Sequence, residues 1–236
     1  MREPCKIVKE TLEFVGSKIC AGMSSKEVDE LVERYIRAAG AYPSCLGYGG
    51  FPASACVSVN SVVVHGIPRK EEILKDGDIV SVDLCAYKNG YHGDACRTFT
   101  IGKVSPDVEK LVKVTEECFF KAVEHLCDGT PLGNIGHYVQ THAESNGYSV
   151  VRALVGHGIG KSMHEDPSVP NYGKKGTGIR LKKGMTIAIE PMINMGTYQV
   201  DFLSDGWSVV TRDRLPSAHY ENTVAITDNG VEILTL

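Results

Sequence analysis

Leu74-Lys75-Asp76-Gly77, running into Ile79-Val80-Ser81-Val82-Asp83, returns later as Leu181-Lys182-Lys183-Gly184, running into Ile187-Ala188-Ile189-Glu190. Each copy is a turn followed by an apolar run that ends on an acid. Two more phrases repeat in the same order. His65-Gly66-Ile67 returns as His157-Gly158-Ile159, and Asp94, opening a run to Thr100, is echoed by Glu221, opening a run to Thr227. The spacing between copies grows along the chain, as expected if the second half carries longer loops between shared landmarks. Two related halves, about 1–103 and 104–236, each supplying carboxylates and a histidine, point to one domain with one site between them.

Outward from these phrases, the chain reads as helix, helix, strands, twice over. Residues 5–21 place Ile7, Val8, Leu12, Val15 and Ile19 at helical spacing. A second helix starts at Ser24 or Ser25 as N-cap with Glu27 in its first turn, carries Val28, Leu31, Val32, Tyr35 and Ile36, and ends at Gly40. Residues 41–56, with Pro43, Gly47, Gly49, Gly50 and Pro52, read as a loop. Strands follow near 57–64, 79–87 and 91–101. In the second half, Ser105-Pro106-Asp107 opens a helix through Leu126, and Pro131 opens another that fades at Asn146-Gly147. Strands recur near 149–155, 186–194, 207–211 and 219–227. The class is α+β, with helices covering one face of a largely antiparallel sheet.

Composition narrows the function. The chain has 236 residues, 42% apolar and 23% charged, with a net charge of −4. With a pI near 6.1, that balance argues against a nucleic-acid-binding surface. No apolar stretch approaches the ~20 residues that span a bilayer. Met1-Arg2-Glu3-Pro4 lacks the apolar core of a signal peptide, so no membrane partner and a cytoplasmic location are expected. The eight cysteines form no C-x-x-C pair, which disfavours a zinc knuckle and leaves them as reduced, largely buried side chains. Oligomeric state is not legible, and a monomer is the default expectation.

The carboxylates carry the chemistry. Asp83 and Asp94 lie in runs joined around Lys88-Asn89-Gly90, a hairpin signal. With Asn89-Gly90 as a two-residue turn, Asp83 faces Cys96, and Asp94 shares Asp83's face because side chains alternate. Direct pairing of the aspartates would also keep them on one face. Only a three-residue turn with odd register would separate them. Asp83 and Glu190 both sit among apolar residues, where a carboxylate must be paired or bind metal. Four clustered carboxylates would repel one another and take up protons. Two divalent cations would cancel their charge, and oxygen-rich ligation with one imidazole suits Mn, Fe(II), Co or Zn. Two metals ~3.5–4 Å apart make a competent hydrolytic centre.

Among the histidines, His65 and His157 are raised by their repeated phrase, and His164 follows seven residues after His157 in Met163-His164-Glu165-Asp166-Pro167. His125, His137 and His142 fall on helices outside any repeat and are read as structural or surface groups. Gly156-His157-Gly158-Ile159-Gly160 lacks the following Gly-Lys-Ser/Thr of a phosphate loop.

Taken together, these phrases resemble those of the bacterial type I methionine aminopeptidases nearly end to end. The matching segments are Cys45-Leu46-Gly47-Tyr48, Asn60 through Val64-His65-Gly66-Ile67-Pro68, Asp83 with Tyr91-His92-Gly93-Asp94, and Gly156 through Gly160. His164-Glu165-Asp166-Pro167, Ile189-Glu190-Pro191 and Glu221-Asn222-Thr223 continue the match. The resemblance implies the pita-bread fold, a pseudo-twofold arrangement. It implies two divalent metal ions, with Asp83 on one, Asp94 and Glu221 bridging, and His157 and Glu190 completing the second. It implies removal of the N-terminal methionine of nascent polypeptides, when the next residue is small, through a metal-bridged hydroxide. His164 would stabilise the oxyanion, His65 would contact the substrate amide, and Glu190 would shuttle the proton. Cys45, Tyr48, Phe51, Cys56, Met163 and Trp207 would line the methionine pocket, a composition that suits a thioether.

The chain departs from the family's usual pattern at Gly49, Phe51, Met163, His219 and Asn222, and at Cys85 and Cys96, where hydroxyl side chains are usual. His219 shares a strand face with Glu221 and is expected to hydrogen-bond a ligand rather than to become a sixth one. Proline-directed relatives with the same five ligands, aminopeptidase P and prolidase, carry a large extra N-terminal domain. The first ligand-bearing strand comes at residue 83, so such a domain is not expected here. Type II methionine aminopeptidases have a long insertion between His164 and Glu190, where this chain has only residues 165–189. Non-enzymatic pita-bread binding modules have typically lost ligands.

Overall fold

A computed structural model describes residues 1–236. The first half contains α1 (Arg2–Gly16), α2 (Ser25–Ala38), β1 (Tyr42–Pro43), β2 (Cys56–Val59), β3 (Val62–Val64), β4 (Ile79–Lys88) and β5 (Tyr91–Thr100). The second contains α3 (Pro106–Val123), α4 (Gly133–Ser145), β6 (Ser149–Val150), β7 (Gly156–Gly158), β8 (Glu165–Val169), β9 (Thr186–Ile189) and β10 (Met192–Asn194). It ends with β11 (Val200–Phe202), β12 (Val209–Thr211), β13 (Ser217–His219), β14 (Glu221–Thr227) and β15 (Gly230–Ile233).

Nine strands form one sheet in the order β1-β4-β5-β14-β9-β7-β8, with β2 beside β4 and β15 beside β14. Two three-stranded sheets, β13-β10-β6 and β11-β12-β3, complete the structure. All pairings within them are antiparallel. This is the α+β architecture that the alternating patterns predict.

Period-two alternation assigns each strand its two faces. In β4, Val80, Val82, Leu84 and Ala86 join a core with Val8, Leu12 and Val15 of α1 and Val28, Val32 and Ile36 of α2. Ser81, Asp83 and Cys85 therefore face away from the helices. In the second half, Ile187, Ile189, Val224 and Ile226 pack with Leu111, Cys118, Phe119, Ile135 and Val139 of α3 and α4. Glu190 and Glu221 fall on the opposite parity. The helices take one face and the acids are left the other.

The hairpin register follows the two-residue turn: Lys88 pairs with Tyr91, Asp83 with Cys96 and Cys85 with Asp94. Ser24 is the cap of α2, its side chain and Glu27 exchanging capping-box bonds. Ser105 accepts from Val108 N at the start of α3.

Several boundaries differ from the periodic reading. Residues 5–21 do not form one helix: α1 begins at Arg2 and stops at Gly16, and the backbone N–H groups of both Lys18 and Ile19 turn back to Val15 O. Pro4 is tolerated in its first turn because the N–H it lacks has no helical partner there. Residues 186–194 are two strands, because Pro191 cannot donate to the ladder and the chain passes from the nine-stranded sheet to the small one. Residues 149–155 are a strand only at Ser149–Val150. The expected strand at 207–211 starts at 209, since the N–H groups of Trp207 and Ser208 donate to Asp205 Oδ1 at 2.9 and 2.8 Å. The loop 41–56 holds the short β1 and a 3-10 turn at Tyr48–Gly50. All eight cysteines are free; most are buried, and Cys20 is exposed.

Candidate active site

Three strands and the residue after a fourth deliver the acids. Asp83 is on β4, Asp94 on β5, Glu221 at the start of β14, and Glu190 follows the end of β9. Glu221 pairs with Cys96 and Asn222 with Ile189, so neighbouring strands present their acids to one space. His157 lies on β7 opposite Ala188 of β9. The repeated His-Gly phrase has a packing reason in both copies. A Cβ on Gly66 would stand 2.3 Å from Val57 O, and one on Gly158 would stand 2.2 Å from Asp166 O. Only glycine lets each histidine-bearing segment lie that close to its neighbour.

Asp83, Asp94, His157, Glu190 and Glu221 all line one cavity of about 120 Å³, with His65, His164, Val64, Leu154, Val155 and Met192. An adjoining cavity of about 160 Å³ is lined by Cys45, Tyr48, Phe51, Cys56, Met163 and Trp207, and it shares His65, Asp83, Asp94 and His164 with the first. The structure thus brings every sequence-derived site residue to two connected spaces. The apolar one forms because β1 and β2 both pair with β4, Pro43 with Ala86 and Cys56 with Asp83. The loop between them leaves β4 beside Ala86 and returns to it beside Asp83, in the middle of the strand. Phe51 meets Trp207 edge-on at 5.1 Å between centroids.

No lysine or arginine lines the carboxylate cavity; Arg97 favours the charged form of Glu221 only weakly against burial and the neighbouring acids. Burial alone pushes Asp83 up to about 7. Burial and then the neighbouring acids push Asp94, Glu190 and Glu221 well above the usual carboxylate range. Burial pushes His157 down to about 4. Asp94 Oδ1 is buried with no hydrogen-bond partner.

His157 Nδ1–H donates to Gly158 O at 2.8 Å, which leaves Nε2 bare toward the acids. That nitrogen is 3.9 Å from Asp94 Oδ2 and 3.7 Å from Glu190 Oε1. These gaps exceed hydrogen bonds but suit donors on one ion with bonds of about 2.0–2.2 Å. Asp94, His157 and Glu221 each bring a ligand atom within 4.8 Å of the others. An orphaned acceptor, a bare imidazole nitrogen and uncompensated acids fit a divalent metal centre.

The remaining histidines separate cleanly. His142 Nε2 is 2.9 Å from Glu117 Oε2, and His125 and His137 pack on the Tyr138 ring. The expected hydrogen bond from His219 to a ligand is not formed: its Nε2 is 3.7 Å from Glu190 Oε2, and neither ring nitrogen has a hydrogen-bond partner. It does not line the carboxylate cavity. Burial, then His65, push it down to about 3.

Asp29 is a residue that the sequence reading passed over. This fully buried acid of α2 accepts from Ser54 N and Ala55 N at 2.8 and 3.0 Å and from Lys26 Nζ at 2.6 Å. It ties the pocket loop to the helix. Its signal was an acid inside the apolar stripe of Val28, Val32 and Ile36.

A sheet with helices on one face and a histidine–carboxylate cavity on the other defines a pita-bread metallohydrolase. The chain belongs to Metallopeptidase family M24, whose model matches residues 1–228, and it is therefore a metal-dependent peptidase. It is similar to the methionine aminopeptidase of Clostridium acetobutylicum, 55% identical over 236 residues, covering 100% of this chain and 94% of the relative. It is 44% identical over 237 residues to the methionine aminopeptidase of Escherichia coli K12, covering 100% and 90% of the two chains. The solved methionine aminopeptidase of Thermotoga maritima matches with a TM-score of 0.98 at 45% identity, covering 100% and 94%. A prolidase from Pyrococcus furiosus shares the fold at a TM-score of 0.79 and 24% identity, and this chain spans 62% of it.

Proposed function

We propose that this chain removes the N-terminal methionine of newly made proteins when the next residue is small, with two divalent cations of the Mn, Fe(II), Co or Zn type. The observation that carries this reading is the junction of two cavities, one apolar and lined by Phe51 and Trp207, one acidic, sharing His65, Asp83, Asp94 and His164. A methionine side chain in the first brings its own amine and carbonyl to the second. Similarity to methionine aminopeptidases over the whole chain supports it.

In this reading Asp83, Asp94, His157, Glu190 and Glu221 would hold the cations. What such a pair supplies when bound is charge: it acidifies the attacking water and polarises the substrate carbonyl. Glu190 takes the proton of that water and passes it to the leaving amine. His164 donates to the oxygen on which charge develops, and His65 contacts the amide beside the leaving group. Cys45, Tyr48, Phe51, Cys56, Met163 and Trp207 hold the thioether. The residue after methionine meets His65 and the cavity rim, so Gly, Ala, Ser, Cys, Thr, Pro and Val are accepted and long or charged side chains are refused.

We also read the chain as one catalytic domain of two duplicated halves, about 1–103 and 104–236. The shared nine-stranded sheet and the paired acids of each half support that reading. Eight unpaired cysteines suit a reducing cytosol, where we expect a monomer.

The test is hydrolysis of Met-Ala-Ser and Met-Lys-Ser peptides by chelated protein refilled with one divalent metal at a time. Metal-dependent release of methionine from the first alone is expected. Release from both, or from an Ala-Pro peptide in preference, would overturn the specificity.

A further inference from the structure

Tyr48 and His164 come from opposite halves of the chain and meet where the two cavities join. The Tyr48 hydroxyl is 2.9 Å from His164 Nδ1, and the rings lie 5.1 Å apart between centroids, tilted by 40°. No other group of the protein hydrogen-bonds the His164 ring. His157 covers it from another side at 4.2 Å between centroids. His164 lines both cavities, whereas Tyr48 lines only the apolar one.

A neutral imidazole carries its proton on one nitrogen, and its hydrogen-bond partner decides which. A phenol donates well and accepts poorly, because its oxygen lone pair is delocalised into the ring. A bare imidazole nitrogen is a strong acceptor. The favoured bond therefore runs from the Tyr48 hydroxyl to Nδ1, which leaves the ring proton on Nε2.

The local backbone keeps Tyr48 in place. It sits in the 3-10 turn Tyr48–Gly50, flanked by Gly47 and Gly49 at φ of +82° and +53°. A Cβ on Gly49 would stand 3.2 Å from Trp207 Cη2. Glycine lets the turn close on the indole and holds the phenol at the pocket wall.

We propose that Tyr48 is a positioning residue whose hydroxyl donates to His164 Nδ1 and fixes the tautomer that presents Nε2–H to the substrate carbonyl. The proposal rests on His164 being the oxyanion donor.

The test uses zinc-loaded enzyme, which is diamagnetic, above the ordinary histidine pKa. Long-range ¹⁵N–¹H NMR reads the tautomer of each histidine, and the resonances missing in His164→Ala assign His164. Wild type is expected to show a protonated Nε2 and a bare Nδ1. Tyr48→Phe keeps the ring in the pocket and removes the bond, so Nδ1–H should appear in the mixture. On Met-Ala-Ser, kcat should fall about 3–10-fold, the range of one neutral hydrogen bond, with KM and zinc content held. A wild-type His164 protonated on Nδ1 would overturn the proposal. So would an unchanged tautomer in Tyr48→Phe, including the case where only KM rises, which would leave Tyr48 as pocket wall. A shifted tautomer with unchanged kcat would uphold the Tyr48–His164 linkage and instead remove the oxyanion role from His164.

Discussion

Asp83 and Glu221 stand on either side of Cys96, in one row across three strands. Asp83 pairs with Cys96 across β4 and β5, and Cys96 pairs with Glu221 across β5 and β14. Strands lie about 4.7–4.9 Å apart, so the small buried thiol is the floor between two acids. Cys96→Ser should keep the metal content and at least half the activity. Cys96→Phe should overpack the row, cost about 1–3 kcal/mol of stability, and lower metal content in atomic absorption. Full metal loading in Cys96→Phe would contradict this role for the row.

Asp94 and Glu221 are two of the three residues whose ligand atoms cluster, so losing either should weaken metal binding. Asp94→Asn or Glu221→Gln should lower metal content and remove nearly all peptide hydrolysis. Two metals with full activity in either variant would sink the ligand assignment.

His164 should separate chemistry from metal binding. His164→Ala is expected to bind metal normally and lose on the order of 10²–10³ in kcat, the loss typical of one oxyanion donor. A change confined to KM would mean uniform binding of substrate and transition state.

His219 stands behind Glu190 and outside the cavity that the ligands line. We expect His219→Gln, which keeps an N–H near Glu190, to retain two metals at saturation and lose no more than ~10–100-fold in metal affinity or activity. Loss of one whole metal equivalent, measured by calorimetric titration, would make His219 a true ligand.

Asp29 holds the pocket loop from behind through two backbone N–H groups. Asp29→Ala strands both buried donors and should cost about 2–4 kcal/mol in urea unfolding. Because Phe51 and Cys56 flank that segment, KM for Met-Ala-Ser should rise while metal content holds. An unchanged KM would show that the loop keeps its shape without this anchor.

The ligand-bearing strands were legible because their information is local. Alternation in Val80-Ser81-Val82-Asp83-Leu84 assigns the faces, Asn89-Gly90 sets the hairpin register, and the repeated His-Gly and acid-ended phrases mark equivalent places in both halves. Short strands such as β7, β8 and β11 were not legible. They carry little alternation, and their ladders are completed by partners far away in sequence. The end of α1 was overrun because Ile19 continues the apolar spacing after the helix itself has stopped.

By itself the sequence determined the class: α+β, two helix–strand halves, four acids and a histidine at matched positions, and a family resemblance dense enough to imply an activity. These follow from periodicity, turn chemistry and motif identity, all written within short windows. Tertiary structure alone decided which nitrogen of His157 is left bare, that the Tyr48 hydroxyl reaches His164, that His219 lies behind Glu190, and that Asp29 anchors the pocket loop. Each of these depends on a few tenths of an ångström between residues many positions apart. Hydrogen bonds discriminate at that scale, and side-chain spacing along one chain does not.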